Sequence, residues 1–311
     1  MSQTPPTVTP PPAPSAPLTI TCPANAAGVS TTGNAVQVTF PSPVTSGGVP
    51  PVQTSCTRTS GSAFTVGPTS VQCTATDAAQ STASCSFTVT VTAEIQRLSR
   101  TRFLAFGDSL TAGEVTVPIT GLDESDRNSR LIVVPQASYP TQLDTMLRAR
   151  YATQTASISV VNSGLPGEWA VDAVRRLPGV ITSVRPDVLL LMHGENDLSA
   201  VGQTALTTAW QALDTMAKEG RNRGARVFIA TLPPPRAGGL RAVPMALVTA
   251  FNDRLRTTAR GEGAVLVDVY PAFLSDVTRL VGTDGAHLTE AGYRRLAELF
   301  FDAIRADLEV R

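Results

Sequence analysis

The sequence predicts two units of different class: a small disulfide-bonded β-sandwich over residues 18–93, then an α/β unit over residues 101–311. Three observations predict this. Arg58 and Asp77 are the only charged residues before position 94, although the chain carries 25 basic and 25 acidic residues. All four cysteines, Cys22, Cys56, Cys73 and Cys85, precede the same break. After it, continuous apolar runs alternate with helix-compatible stretches, the pattern of a parallel sheet covered by helices on both faces.

Residues 1–17 read as a linker or tail, because Pro and Thr dominate from position 4 and favour an extended, semi-rigid spacer. Met1 is followed at once by Ser, Gln, Thr and prolines, so the start reads as a mature chain with its signal peptide removed. Apolar residues then recur at every second position: Leu18, Ile20 and Cys22; Val36, Val38 and Phe40; Val71 and Cys73; Phe87, Val89 and Val91. Gly, Pro and Ser clusters separate these runs, which is the pattern of short antiparallel strands in a sandwich. An even number of cysteines in so small a unit implies two disulfides and an oxidising compartment. A metal site is the alternative. It lacks a Cys-x-x-Cys pair, and both histidines lie far away in sequence.

Residues 94–100 read as a second linker. Beyond it, strands are expected at Phe103–Phe106, Ile158–Val161, Val188–Met192, Val227–Ala230 and Val265–Val269. Helices are expected at Thr141–Tyr151, Trp169–Leu177, Thr204–Arg223, Met245–Thr258 and Glu290–Leu308. On the last, Leu296, Leu299, Phe300, Ala303 and Ile304 share one face, as packing on a sheet requires. Five such strands fit a flavodoxin-like three-layer α/β/α sandwich, in which ligands gather at the carboxyl ends of the strands.

Four polar blocks fall at such ends. Phe106-Gly107-Asp108-Ser109-Leu110-Thr111-Ala112-Gly113-Glu114 follows the first strand and lifts Ser109 onto a strand–turn–helix corner. There the free N–H groups of a helix start favour developing negative charge. Asn162-Ser163-Gly164-Leu165 follows the second strand, and Gly194-Glu195-Asn196-Asp197 the third; Asp284-Gly285-Ala286-His287 precedes the last helix. A serine hydroxyl needs a base to take its proton. The chain offers two histidines, His193 and His287. His287 follows Asp284 by three positions, a spacing that lets a carboxylate fold back onto the imidazole and fix its tautomer. Ser109 is therefore the expected nucleophile, His287 the general acid–base and Asp284 its orienting partner.

These four blocks, in this order, resemble the SGNH (GDSL) hydrolases over residues 101–311. The resemblance implies a serine esterase that cleaves carboxylic esters through an acyl-enzyme on Ser109. It also implies an oxyanion hole made by the Ser109 and Gly164 backbone N–H groups and the Asn196 amide. Leu110, Leu165, Trp169 and His193 are the candidate substrate contacts, with a satisfied structural histidine as the alternative for His193. Asp108 and Asp197 read as braces of their loops. The long loop Glu114–Ser138 and the Pro233–Arg236 segment read as pocket-shaping. The resemblance covers short-chain acyl esters, acetylated polysaccharides, lipids and lysophospholipids. An acyltransferase on the same scaffold, or an adhesion protein with an incidental hydrolase domain, are the competing functions.

Cys22-Pro23, Gly61, Phe64, Gly67, Cys73-Thr74-Ala75-Thr76-Asp77 and Ser84-Cys85-Ser86-Phe87 resemble a hyalin repeat (HYR) module of immunoglobulin type. Four cysteines allow three pairings; Cys22–Cys85 and Cys56–Cys73 are expected. Such a module implies cell-surface or polysaccharide contact, with the chain secreted from, or held on the surface of, a bacterial cell. Zero net charge gives no field to draw nucleic acid. No apolar run approaches a membrane span. Neither metal nor organic cofactor is implied.

Overall fold

The computed structural model describes residues 16–118 and 129–310. Most of the Pro/Thr-rich start, and the middle of the Glu114–Ser138 loop, lie outside the described residues. The chain divides into two compact units, one running to Ile95 and the other from Gln96 to Val310.

The first unit is β-rich. A four-stranded sheet joins Ala26–Ser30, Thr82–Ala93, Gly67–Thr76 and Gln53–Cys56 in that spatial order. Thr82–Ala93 runs antiparallel to Gly67–Thr76 but parallel to Ala26–Ser30. Two short ladders, Thr19–Thr21 with Val44–Ser46 and Val36–Gln37 with Ala63–Phe64, complete it. The period-two residues face inward: Val38, Phe64, Val71, Phe87, Val89 and Val91 form the core. Phe40 packs edge-on against Phe87 at 4.8 Å. Disulfides join Cys22 to Cys85 and Cys56 to Cys73. They supplement a core that a unit of this size keeps thin.

The second unit is a flavodoxin-like three-layer sandwich. Its central strands are β1 (Arg102–Gly107), β2 (Ser159–Gly164), β3 (Val188–Met192), β4 (Arg226–Ala230) and β5 (Val265–Val267), all parallel, in the order β2-β1-β3-β4-β5. The order reverses beside β1, which makes its carboxyl end the switch point where such sheets bind ligands. Helices α1 (Ser109–Ala112), α2 (Tyr139–Arg150), α3 (Ala170–Val184), α4 (Glu195–Val201), α5 (Ala205–Asn222), α6 (Met245–Gly261), α7 (Val269–Leu274), α8 (Val277–Leu280) and α9 (Glu290–Leu308) connect them. α2 packs on α9, where Tyr139 stacks on Phe300 at 4.9 Å, while α3 packs on α5 and α5 on α6. Every residue of β3 is buried, as a strand covered on both faces must be.

Several elements differ from expectation. α3 continues through Pro178 to Val184, because Leu177 and Ile181 are both buried on its inner face and their packing outweighs one lost backbone hydrogen bond. β5 stops at Val267, and Val269 opens α7. On α9, Tyr293, Leu296, Ala297, Phe300, Ile304 and Leu308 are buried, whereas Leu299 and Ala303 sit at the margin. Arg97–Leu98, expected as linker, pairs with Glu309–Val310 and buries Leu98; a two-residue strand leaves no periodicity to read. The Glu114–Ser138 loop carries an antiparallel ladder, Glu114–Pro118 with Ser129–Val133, in which Val115 lies opposite Ile132. No helix among the described residues is long and apolar enough to cross a membrane.

Candidate active site

β1 delivers Ser109 to the first position of α1. Asp108 precedes it as the N-cap, its Oδ1 accepting the Leu110 N–H at 3.0 Å. That cap holds the single turn on which the serine sits. The Ser109 backbone N–H has no partner among the described residues. Gly164 ends β2 against this turn; a Cβ there would lie 2.1 Å from the Ala112 nitrogen, so the close approach of the two backbones requires glycine.

Ser109, Asp284 and His287 come together although 178 positions separate the first from the last. His287 Nε2 lies 2.8 Å from Ser109 Oγ, and Nδ1 lies 2.6 Å from Asp284 Oδ2. Asp284 Oδ1 accepts the backbone N–H groups of Ala286 and His287. Burial pushes the Asp284 carboxyl up, but the hydrogen bond and charge of His287, with those two N–H groups, outweigh burial and hold it below the usual carboxylate range. The loop after β4 braces this segment: the Arg241 N–H donates to the Asp284 carbonyl, and the Arg236 N–H to the Gly285 carbonyl. Thus Pro233–Arg236 and the residues after it support the acid–base loop. Ser109 is 3% exposed.

Of the expected oxyanion donors, Gly164 N–H donates at 3.0 Å to Asn162 Oδ1, and Asn196 Nδ2 donates at 2.9 Å to the Glu168 carbonyl. The amide of Asn196 carries a second hydrogen. The Gly164 N–H is thus already engaged by Asn162, and an oxyanion role for it requires that bond to be shared or broken.

Two of the expected substrate contacts lie fully buried. Leu110 is fully buried, because the one-turn helix aims it into the core beneath the sheet's edge. His193 is also fully buried: its Nδ1 accepts the Gly194 N–H at 3.1 Å, and its Nε2 donates to Glu168 Oε2 at 3.2 Å. It is a satisfied structural histidine, 3.5 Å from Asp108 Oδ2. Leu165 and Trp169, 47% and 37% exposed, remain open to solvent. Asp197 Oδ2 accepts the Ala170 N–H at 2.8 Å and so braces the start of α3.

Four features escaped the sequence. Arg176 grips both oxygens of Glu168, bonds Ser163 and lies 4.0 Å over the Phe106 ring. Glu195 is buried at the head of α4; burial first, then the charges of Asp108 and Asp284, push its carboxyl up to about 8. Asn162 holds the Gly164 N–H. Glu114 places Oε2 3.4 Å from His287 Nε2. Glu114, Asn162 and Glu195 all lie in or beside the four polar blocks. A carboxylate or amide inside such a block is a signal worth reading, whereas nothing local marked Arg176. No group of His, Cys, Asp and Glu among the described residues is arranged to hold a metal ion.

Comparison with known proteins places these blocks in context. The model of the GDSL-like Lipase/Acylhydrolase family matches residues 105–295, and the HYR domain model matches residues 14–91. Esterase TesA of Pseudomonas aeruginosa is 26% identical over 174 residues, covering 54% of this chain and 83% of that protein. In fold, the chain resembles the lipase/acylhydrolase from Enterococcus faecalis, with TM-score 0.54 and 24% identity over 67% of this chain and 97% of the other. It also resembles Est24, a carbohydrate acetylesterase from Sinorhizobium meliloti, with TM-score 0.52 and 17% identity over 67% and 99%.

Proposed function

The chain belongs to the GDSL-like lipase/acylhydrolase family and is a carboxylic ester hydrolase; from that premise we propose that it works through an acyl-enzyme on Ser109. The observation that carries this reading is one imidazole bridging two partners, with Nε2 at 2.8 Å from Ser109 Oγ and Nδ1 at 2.6 Å from Asp284.

With Nδ1–H held by Asp284, Nε2 presents its lone pair to the serine hydroxyl. Ser109 Oγ attacks the ester carbonyl carbon as its proton passes to Nε2. The carbonyl oxygen becomes an oxyanion and takes hydrogen bonds from the Ser109 N–H, the Gly164 N–H and the Asn196 amide. The carbon–oxygen bond to the alcohol breaks, and that oxygen leaves with the Nε2 proton. A water molecule, deprotonated by the same nitrogen, then attacks the acyl carbon; the bond to Ser109 Oγ breaks, Oγ regains the Nε2 proton and the acid is released.

The oxidising compartment implied by two disulfides supports a secreted or surface-held enzyme. The HYR match supports a role of the first unit in cell-surface or polysaccharide contact. Hydrolysis of a chromogenic acetyl ester by wild type and Ser109→Ala tests the catalytic reading. Loss on the order of 10⁴- to 10⁶-fold is expected in the variant; equal rates would overturn the assignment.

A further inference from the structure

His287 Nε2 has a second oxygen beside it. Glu114 Oε2 lies 3.4 Å away, and its side chain is 15% exposed. The residue is fixed by its backbone. Gly113, with φ +92°, ends α1 and turns the chain into the Glu114–Pro118 strand; the Glu114 carbonyl accepts the Tyr293 hydroxyl. Among the described residues, the Glu114 carboxyl accepts no hydrogen bond, and His287 Nε2 lies beside it.

Attack on the ester uses Asp284, His287 and Ser109 and leaves Glu114 without a part. The step in which the alcohol departs is different. There the Nε2 proton passes to the alcohol oxygen, which must come within about 2.6–3.2 Å of that nitrogen. A carboxyl oxygen 3.4 Å from the same nitrogen therefore borders the leaving alcohol, not the acyl chain. A purely hydrocarbon alcohol would strip water from this carboxyl and return nothing. An alcohol with a hydroxyl on the carbon next to the ester-bearing carbon would donate to it.

We propose, resting on the esterase reading above, that Glu114 is a specificity-determining residue on the leaving-group side. It selects acyl esters of polyhydric alcohols, those carrying a free hydroxyl vicinal to the ester, and its carboxyl accepts that hydroxyl. A charge-assisted hydrogen bond of this kind discriminates by about tenfold or more.

The test compares kcat/KM for three acetyl esters. These are 2-hydroxyethyl acetate, 2-methoxyethyl acetate, which keeps the inductive pull but has no O–H, and propyl acetate. Wild type is expected to favour the hydroxyethyl ester over both others by about tenfold. Glu114→Ala is expected to bring the hydroxyethyl-to-methoxyethyl ratio to near one, leaving against propyl acetate only the inductive difference. Glu114→Gln, whose amide oxygen still accepts, retains part of the preference. A wild-type hydroxyethyl-to-methoxyethyl ratio near one, or one that survives in Glu114→Ala, overturns the proposal. So does a common slowing of all three esters in both variants, which would make Glu114 a partner of the imidazole alone. If wild type cleaves none of them, or Ser109→Ala cleaves them equally well, the esterase reading fails and takes this proposal with it.

Discussion

The Oδ2 of Asp284 lies 2.6 Å from Nδ1 of His287, and the other oxygen of the same carboxylate is tied to two backbone N–H groups. The imidazole is thus oriented by a group that is itself immobilised. Asp284→Asn keeps the shape but favours the wrong tautomer. It is expected to lower kcat by roughly 10³- to 10⁴-fold. Because the Asp284 carboxyl sits below its ordinary value in the fold, its stabilising contribution is present above that ordinary value. The contribution is lost as pH falls through the lower, folded one. Wild type should therefore lose more stability on acidification than Asp284→Asn, which keeps only the contributions of the other lowered carboxyls such as Glu168 and Asp187; matched acid titrations of the two proteins check this.

Asn196 gives one amide hydrogen to the Glu168 carbonyl, and the proposed oxyanion contact uses the other. Asn196→Ala is expected to cost about 2.7–4 kcal/mol in the transition state, seen as a drop in kcat with KM little changed. Steady-state kinetics on a soluble ester distinguish this from a binding defect, which would raise KM instead.

Much of this arrangement could be read from the residues before any coordinates. The inner strands β1, β3 and β4 are runs of apolar residues, and burial on both faces leaves that composition little freedom. The motif blocks were visible because they interrupt those runs at strand ends. What escaped was of two kinds. Leu110 and His193 lie beside the motif residues in sequence, yet a one-turn helix and a strand end rotate them into the interior. Arg176 acts at the site's base from the second turn of α3, a placement set by how helix meets sheet and by nothing in the local sequence.

Glu195 yields a test of pH linkage. Its carboxyl moves from an ordinary value of 4.5 up to about 8 in the folded chain. Between those limits the folded state binds the extra proton, so stability falls as pH rises through the window. Glu195→Gln removes that dependence. Chemical denaturation at a series of pH values should show the variant gaining on wild type by on the order of a few kcal/mol at pH 9. Parallel curves would contradict this.

Arg176 neutralises Glu168, whose side chain is 7% exposed, through bonds to both of its oxygens. Arg176→Met leaves that buried carboxylate with the His193 hydrogen bond but without its cation. A loss of roughly 3–5 kcal/mol in urea unfolding is expected. A loss below 1 kcal/mol would mean that His193 alone suffices to hold Glu168.

The proposed catalysis requires Ser109 to form a covalent bond to the acyl group. A fluorophosphonate ester, followed by intact and peptide mass spectrometry, reads this directly. The expected result is one adduct per chain, on Ser109, accumulating in step with the loss of ester hydrolysis and absent from Ser109→Ala. Full inactivation with the adduct on another residue, or continued ester turnover by chains fully labelled at Ser109, would contradict it.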